Sequence, residues 1–398
     1  MHETFRLFFT SIEKMQTKTM IIMKNMKKLL AMMLMLASVF FIACSDDDDD
    51  PLSPDEARDQ MTQMSQDMFV YMNEMEATDG MGAVSAFDSL MRIHDPFIQK
   101  SSSESNRMIE NIKKFILPAN YLKFKSEETK ADGAALSFSE VGTYTWNNTD
   151  QQWDYSSEPT DKLVFIYPLE ENEAQLTIND YQEVQIQDDY DTWYQPTSIE
   201  ADLYVNDTEA AYLSLTASWV ESGEAAGEPK SINVSGGILP FTFTFNFSFS
   251  NYTATISDTK VLYGNTQILR VEAVATFESN NMIDEPVNLT GYLQVENVAL
   301  NVRQIRINEI NQIIENYKTN PTTAENLENS MNSKISIDIS IDGRFAADIV
   351  FDVIQVDPED APPTPIDIIG DMGLYGDFLI VYSDGTYDSL FGMVQLPQ

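Results

Sequence analysis

The chain predicts an α+β fold that is mainly β. N-terminal helices pack on a large curved antiparallel sheet, a meander or half-barrel, with one helical insertion. Three observations lead there. Apolar residues recur every three or four positions early in the chain and every second position from about Ala134 onward. Several alternating segments exceed the usual strand length of ~5 to 6 residues. No helix-length crossover separates most of them, so neighbouring strands pair antiparallel.

Taken in order, Ser53-Pro54-Asp55-Glu56 opens a first helix, with Ser53 as N-cap, Pro54 at the first helical position and Glu56 closing a capping box. Ala57, Met61, Met64, Met68, Met72 and Met75 form one apolar stripe, and Thr78-Asp79-Gly80 ends the helix. Met81 to Ile93 and Glu104 to Leu117 show the same period before Pro96 and Pro118 and predict two more helices. The period then falls to two. Phe241, Phe243, Phe245, Phe247 and Phe249 alternate with Thr242, Thr244, Asn246, Ser248 and Ser250, giving an aromatic face and a polar face. Lys162–Tyr167, Ile199–Val205, Tyr212–Val220, Ile268–Phe277, Asn288–Ile307 and Lys334–Ile354 alternate similarly. Two helical stretches, Asn308–Lys318 and Thr322–Asn332, interrupt them around Pro321. Asp357–Pro365 is a proline-rich acidic loop, and a last hairpin turns at Ser383-Asp384-Gly385-Thr386.

The N-terminus predicts an address. Lys24, Lys27 and Lys28 precede the apolar run Leu29–Ile42, whose 14 residues fall short of the ~20 that a spanning helix needs. Ala43 and Cys44 follow, and then Ser45 and the acidic residues Asp46, Asp47, Asp48, Asp49 and Asp50. Residues 24–50 resemble the signal of Bacteroidetes-type surface-exposed lipoproteins. That resemblance implies acylation of Cys44, export directed by Ser45 to Asp50, and a lipid-anchored place on the outer membrane facing the exterior. The expected organisation is a signal peptide over 1–43, with 1–22 upstream of the true start, then a lipidated tether over 44–53. A single globular domain over 54–398 follows. Within it, 54–130 is helical, 131–356 forms the sheet with the insertion 308–332, and 357–398 holds the acidic loop and C-terminal hairpin. The order of helices and long strands loosely resembles the half-barrel of LolA-like and LppX-like lipid carriers.

Composition excludes several function classes. The formal charge is −39 for the whole chain and −43 once residues 1–43 are removed. Such a field repels phosphate backbones, so no nucleic-acid partner is expected. The only cysteine is Cys44, and the histidines are His2 and His94, which leaves no disulfide, thiolate nucleophile or zinc site within one chain. His94 precedes Asp95-Pro96 in a helix-ending context that suits a structural role. A serine triad would have to use it, without a Gly-x-Ser-x-Gly elbow. Paired carboxylates could serve a glycosidase, yet no pair stands out among the acidic residues. No catalytic residue and no metal ligand is therefore assigned, and the expectation is a protein that is not an enzyme. Calcium is the one cofactor considered, at Asp188-Asp189-Tyr190-Asp191 or Asp357-Pro358-Glu359-Asp360, neither of which has EF-hand spacing.

Binding candidates are aromatic. Trp146 and Trp153 flank a four-residue turn and face each other across a hairpin, with Trp193 and Tyr194 as an extension. Exposed, they would stack on sugar rings or lipid. Phe241 to Phe249 form either a core, the wall of a lipid cavity or a membrane-facing strand, and the methionine helix could close such a cavity as an adaptable lid. The leading expectation is a surface binding module for an apolar, lipid-like ligand. A carbohydrate-binding protein and an assembly or adhesin subunit are the alternatives. Asp88-Ser89-Leu90 and Asp388-Ser389-Leu390 resemble Bacteroidetes-type O-glycosylation sites.

Overall fold

The computed structural model describes residues 51–94, 96, 141–188, 192–280, 282, 286–355, 366–369 and 374–389. The helix expected over Glu104–Leu117 lies outside them. The fold is α+β and mainly β. The chain divides into two compact units, Asp67–Val274, and Met1–Gln66 with Ala275–Gln398.

Helix α1 (Pro54–Glu76) begins where the capping box predicts, and Ser53 Oγ accepts the Glu56 N–H at 3.3 Å. Ala57, Met61 and Met64 of its first half are buried in the second-named unit. Further along, Met68 and Met75 are half-buried and Met72 is 55% exposed, so the stripe is covered only in part. Thr78 Oγ1 accepts the Met81 N–H and starts α2 (Asp79–His94) slightly earlier than the periodicity predicts.

In the unit Asp67–Val274 the sheet begins with β1 (Gly142–Asn147), which pairs antiparallel with β2 (Gln152–Ser156) and parallel with β3 (Leu163–Leu169). From there the chain is an antiparallel meander. It runs through β4 (Asn172–Gln187), β5 (Thr192–Val205), β6 (Thr208–Trp219), β7 (Pro229–Ile238), β8 (Phe241–Ser250) and β9 (Thr253–Tyr263), each paired with the next. The strand β10 (Thr266–Phe277) follows. One face carries the core. Helix α2 lays Ala83, Phe87 and Met91 on it, with the Phe87 ring 5.0 Å from Phe165 and the Tyr167 hydroxyl donating to Ala83 O at 3.0 Å. Burial raises the Tyr167 phenol pKa. Gly80 is required where the helix crosses the sheet, since a Cβ there would lie 2.6 Å from Ala210 O.

The other unit is a second antiparallel run. It passes through β11 (Pro286–Val295), β12 (Val298–Ile305), β13 (Ile335–Ile341) and β14 (Arg344–Gln355). β14 then pairs with β16 (Leu374–Tyr382), whose far edge takes β15 (Ile366–Ile369) and β17 (Tyr387–Ser389). The alternation over Asn288–Ile307 and over Lys334–Ile354 thus belongs to two hairpins rather than two long strands. They turn at Glu296 and at Asp342-Gly343, all with positive φ. Between β12 and β13 the expected insertion forms α3 (Ile307–Thr319) and α4 (Ala324–Asn332), the latter capped by Thr323 Oγ1 on the Asn326 N–H. Leu52, 2% exposed, pins the start of this unit by donating its N–H to Phe345 O at 3.0 Å and accepting the Ser383 hydroxyl at 3.1 Å.

β13 pairs with β14 only as far as Ile349, which leaves the rest of that edge of β14 in need of partners. Side chains of α4 supply them. Asn332 accepts the Phe351 N–H at 2.8 Å and donates to Phe351 O at 2.7 Å, while Glu328 accepts the Val353 N–H at 3.2 Å. Replacing Asn332 by Ala should cost about 2 kcal/mol, because both backbone groups lose their partner. Equilibrium urea unfolding measures this. Asp352 lies beside Glu328 and opposite Asp377, and its pKa is raised by desolvation and by these carboxylates. The folded state therefore holds this proton more tightly than the unfolded chain, and its stability falls as pH rises through the carboxylate range. Asp352→Asn should raise the urea midpoint at pH 7.5, and the gain should vanish near pH 3; equal midpoints at both values would refute the coupling.

Candidate functional site

The structure first places the aromatic candidates. Trp146 and Trp153 are opposite in register on β1 and β2, their rings 5.4 Å apart at 71°. Asn147 closes the intervening turn by accepting the Thr149 and Asp150 N–H groups. Trp146 is only 8% exposed. Its Nε1 donates to Asn148 Oδ1 at 2.9 Å, and the half-buried His94 ring lies 4.9 Å away. Trp153 and Phe165 meet in a T-shaped contact, 5.4 Å between centroids. Trp193 is half-buried with its ring against Gly227, where a Cβ would come within 2.7 Å, and Tyr194 is buried. These residues pack.

The phenylalanine stripe behaves similarly. Phe241, Phe243 and Phe245 are buried, and Phe247 and Phe249 are half-buried toward the end of β8. Phe243 lies across Gly236, where a Cβ would meet its Cζ at 2.4 Å, so glycine is needed there to admit the ring. Phe241 sits 4.8 Å from the Tyr263 ring.

A groove forms elsewhere on the same unit. Its volume is about 430 Å³, and Glu173, Gln175, Tyr204, Asn206 and Asp207 line it. Tyr204 on β5 stands opposite Gln175 on β4 and Glu209 on β6, on the face away from the buried Leu203 and Val205. The β5–β6 turn places Asn206 and Asp207 at positive φ, 47° and 63°, a conformation Asn and Asp tolerate. Asn206 then ties the turn to β4. Its Oδ1 accepts the Glu173 N–H at 3.1 Å, its Nδ2 donates to Asn172 Oδ1 at 2.6 Å, and its own N–H donates to Glu173 O.

The lining thus offers two carboxylates as acceptors, two amides that both donate and accept, and a half-buried phenol ring, with no cation among the five. Such a set suits a neutral ligand rich in hydroxyl groups, held by hydrogen bonds and by ring contact. It disfavours anions. Sequence reasoning missed this site, although the alternation of Asp202 and Tyr204 with Leu203 and Val205 already puts Tyr204 on the solvent side.

Cys44, Ser45 and the tract Asp46 to Asp50 lie outside the described residues, as do Asp189 to Asp191 and Asp357 to Asp360. Among the described residues no group of three His, Cys, Asp or Glu side chains gathers in metal-holding geometry. No described helix is long and apolar enough to cross a membrane. Ser89 is exposed on α2 and donates to Ser85 O, whereas Ser389 is half-buried and donates to Asp377 Oδ2 at 2.6 Å. Comparison with known protein families, characterised proteins and solved structures finds no match to this chain.

Packing and binding roles separate on substitution. Trp146→Ala should cost roughly 3 to 5 kcal/mol, as for a large core aromatic. Tyr204→Ala, at a half-buried outward-facing position, should cost no more than about 1 kcal/mol. Thermal unfolding of both variants checks this, and equal losses would make Tyr204 part of the core.

Proposed function

We propose that this chain is a lipid-anchored cell-surface protein that binds carbohydrate without catalysis, through the groove around Tyr204. The observation that carries the reading is the lining itself: a half-buried aromatic ring on the outward face among carboxylates and amides, with no basic residue. Pyranose rings present an apolar C–H face and a rim of hydroxyls, which is the complement of that set. Sites of this kind commonly pair ring contact with a few placed polar groups. The charge of −39 argues against anionic partners, and the reading requires no metal or other cofactor.

An apolar ligand, the leading expectation from the sequence, needs the stripe Phe241 to Phe249 to line open space. Phe241, Phe243 and Phe245 are buried instead, which favours a polar ligand.

The anchor rests on Lys24 to Asp50 and on where the folded body starts. Leu52 is already fixed, so seven residues separate Cys44 from it, and the eight steps between them reach about 28 Å at ~3.5 Å per residue. Acylation of Cys44 would hold the protein close to the outer membrane. More than one acyl chain gives stable attachment, where a single chain is marginal.

Cys44→Ala should move the protein from the membrane to the soluble fraction on cell fractionation; continued sedimentation with membranes refutes the anchor. On a glycan array the parent chain should retain neutral oligosaccharides, and Tyr204→Ala should lower the affinity at least tenfold. Absence of any glycan signal from the folded parent refutes carbohydrate binding.

A further inference from the structure

The outward face of β5 to β9, beside the groove, carries cross-strand rows of short uncharged polar side chains. One row runs Ser198, Thr216, Asn233, Asn246 and Ser257 across five strands, each residue opposite the next. A second runs Ser218, Ser231, Ser248 and Thr255, with the Ser218 and Ser231 hydroxyls hydrogen-bonded at 2.7 Å. A third, Ser214, Ser235 and Thr244, ends in Glu200 on one side and Lys260 on the other. The residues of these rows are half-buried to exposed. At the end toward the groove, Tyr212 stands opposite Asp202 and lies over Gly237, where a Cβ would come within 3.0 Å of its ring.

In a chain with 63 acidic residues, the side chains of two such rows carry no charge, although Asp180 Oδ2 accepts the Ser198 hydroxyl at 2.5 Å at one end of the first row; beyond that end the partner need not be charged either. Neighbouring strands repeat every ~4.8 Å, so the rows present hydroxyl and amide groups at near-regular intervals. Ser and Thr lose little side-chain freedom on binding, and the side chains of the two uncharged rows hold no charge to desolvate. A flat field of this kind complements a polymer that is itself a regular array of hydroxyls, with bridging water filling mismatches.

We propose that this face binds an extended neutral polysaccharide, with Tyr212 and the Tyr204 groove taking one end of the chain. The proposal rests on the carbohydrate reading above and adds the substrate class: a polymer rather than a short or charged glycan. The uncharged rows choose it over an anionic polymer, which Glu200, Asp202 and Glu209 beside them would repel.

The test is retention of the full chain on insoluble cellulose, mannan and starch, with polygalacturonate as the anionic control. Asn233→Asp with Asn246→Asp places two charges in the five-strand row without changing side-chain size, and Thr216→Lys is a second variant of opposite sign. Circular dichroism checks that each remains folded. The parent should be retained on at least one neutral polymer and not on polygalacturonate, and both face variants should lose retention at least fivefold while still binding short oligosaccharides. Polymer retention that Tyr204→Ala abolishes and the face variants leave intact would overturn the extended face and keep the groove. Oligosaccharide binding without retention on any polymer would do the same. No binding to either class would overturn both readings. Dimerisation of the parent that the face variants abolish would reassign the face to contact between copies of this chain.

Discussion

Everything in this molecule follows from strands that have two chemically different faces. Successive side chains point to opposite sides, so a strand such as Phe241–Ser250 must bury its aromatic set and expose its threonine, asparagine and serine set. A slip of one residue would exchange the two, which makes register expensive to change. Glycine permits the tightest packing of the inner set. Gly236 admits the Phe243 ring, and in the other unit Gly376 admits Phe351, where a Cβ would come within 2.0 Å of the ring. The outer set is then left free to be a surface.

The same constraint explains how much of the fold was legible. The five phenylalanines of β8 share one face as their spacing predicts, and the helical insertion sits close to its expected bounds. Two turns hid within apparently continuous alternation. Across Glu296 and Asn297 the large buried side chains nearest the turn change from Leu293 and Val295 to Val298, Leu300 and Val302, a switch from odd to even numbers that marks a two-residue turn, although the small Ala299 is buried as well. At Asp342-Gly343 no such switch occurs, because an irregular register at Ser340 restores the parity; there the Asp-Gly pair itself is the signal.

The site was less legible than the fold for a physical reason. Trp146 and Trp153 are large and adjacent across a hairpin, so they stand out in sequence. Those same properties let them fill core space beside Phe165 and His94. The groove depends instead on Gln175 meeting Tyr204 across strands and on Asn206 reaching back to Glu173. Such contacts join residues about thirty positions apart and leave no local pattern. A filled inner face and a polar outer one together are why the proposed binding surface is the solvent side of these strands and not the aromatic stripe.

Whether the inner face is filled can be measured directly. The Cys44→Ala chain, which carries no acyl group, would be purified from its own host and analysed by native mass spectrometry, followed by organic extraction. A filled core requires the polypeptide mass alone, with no lipid in the extract. A stoichiometric co-purifying lipid would contradict it and return Phe241 to Phe249 to the wall of a cavity.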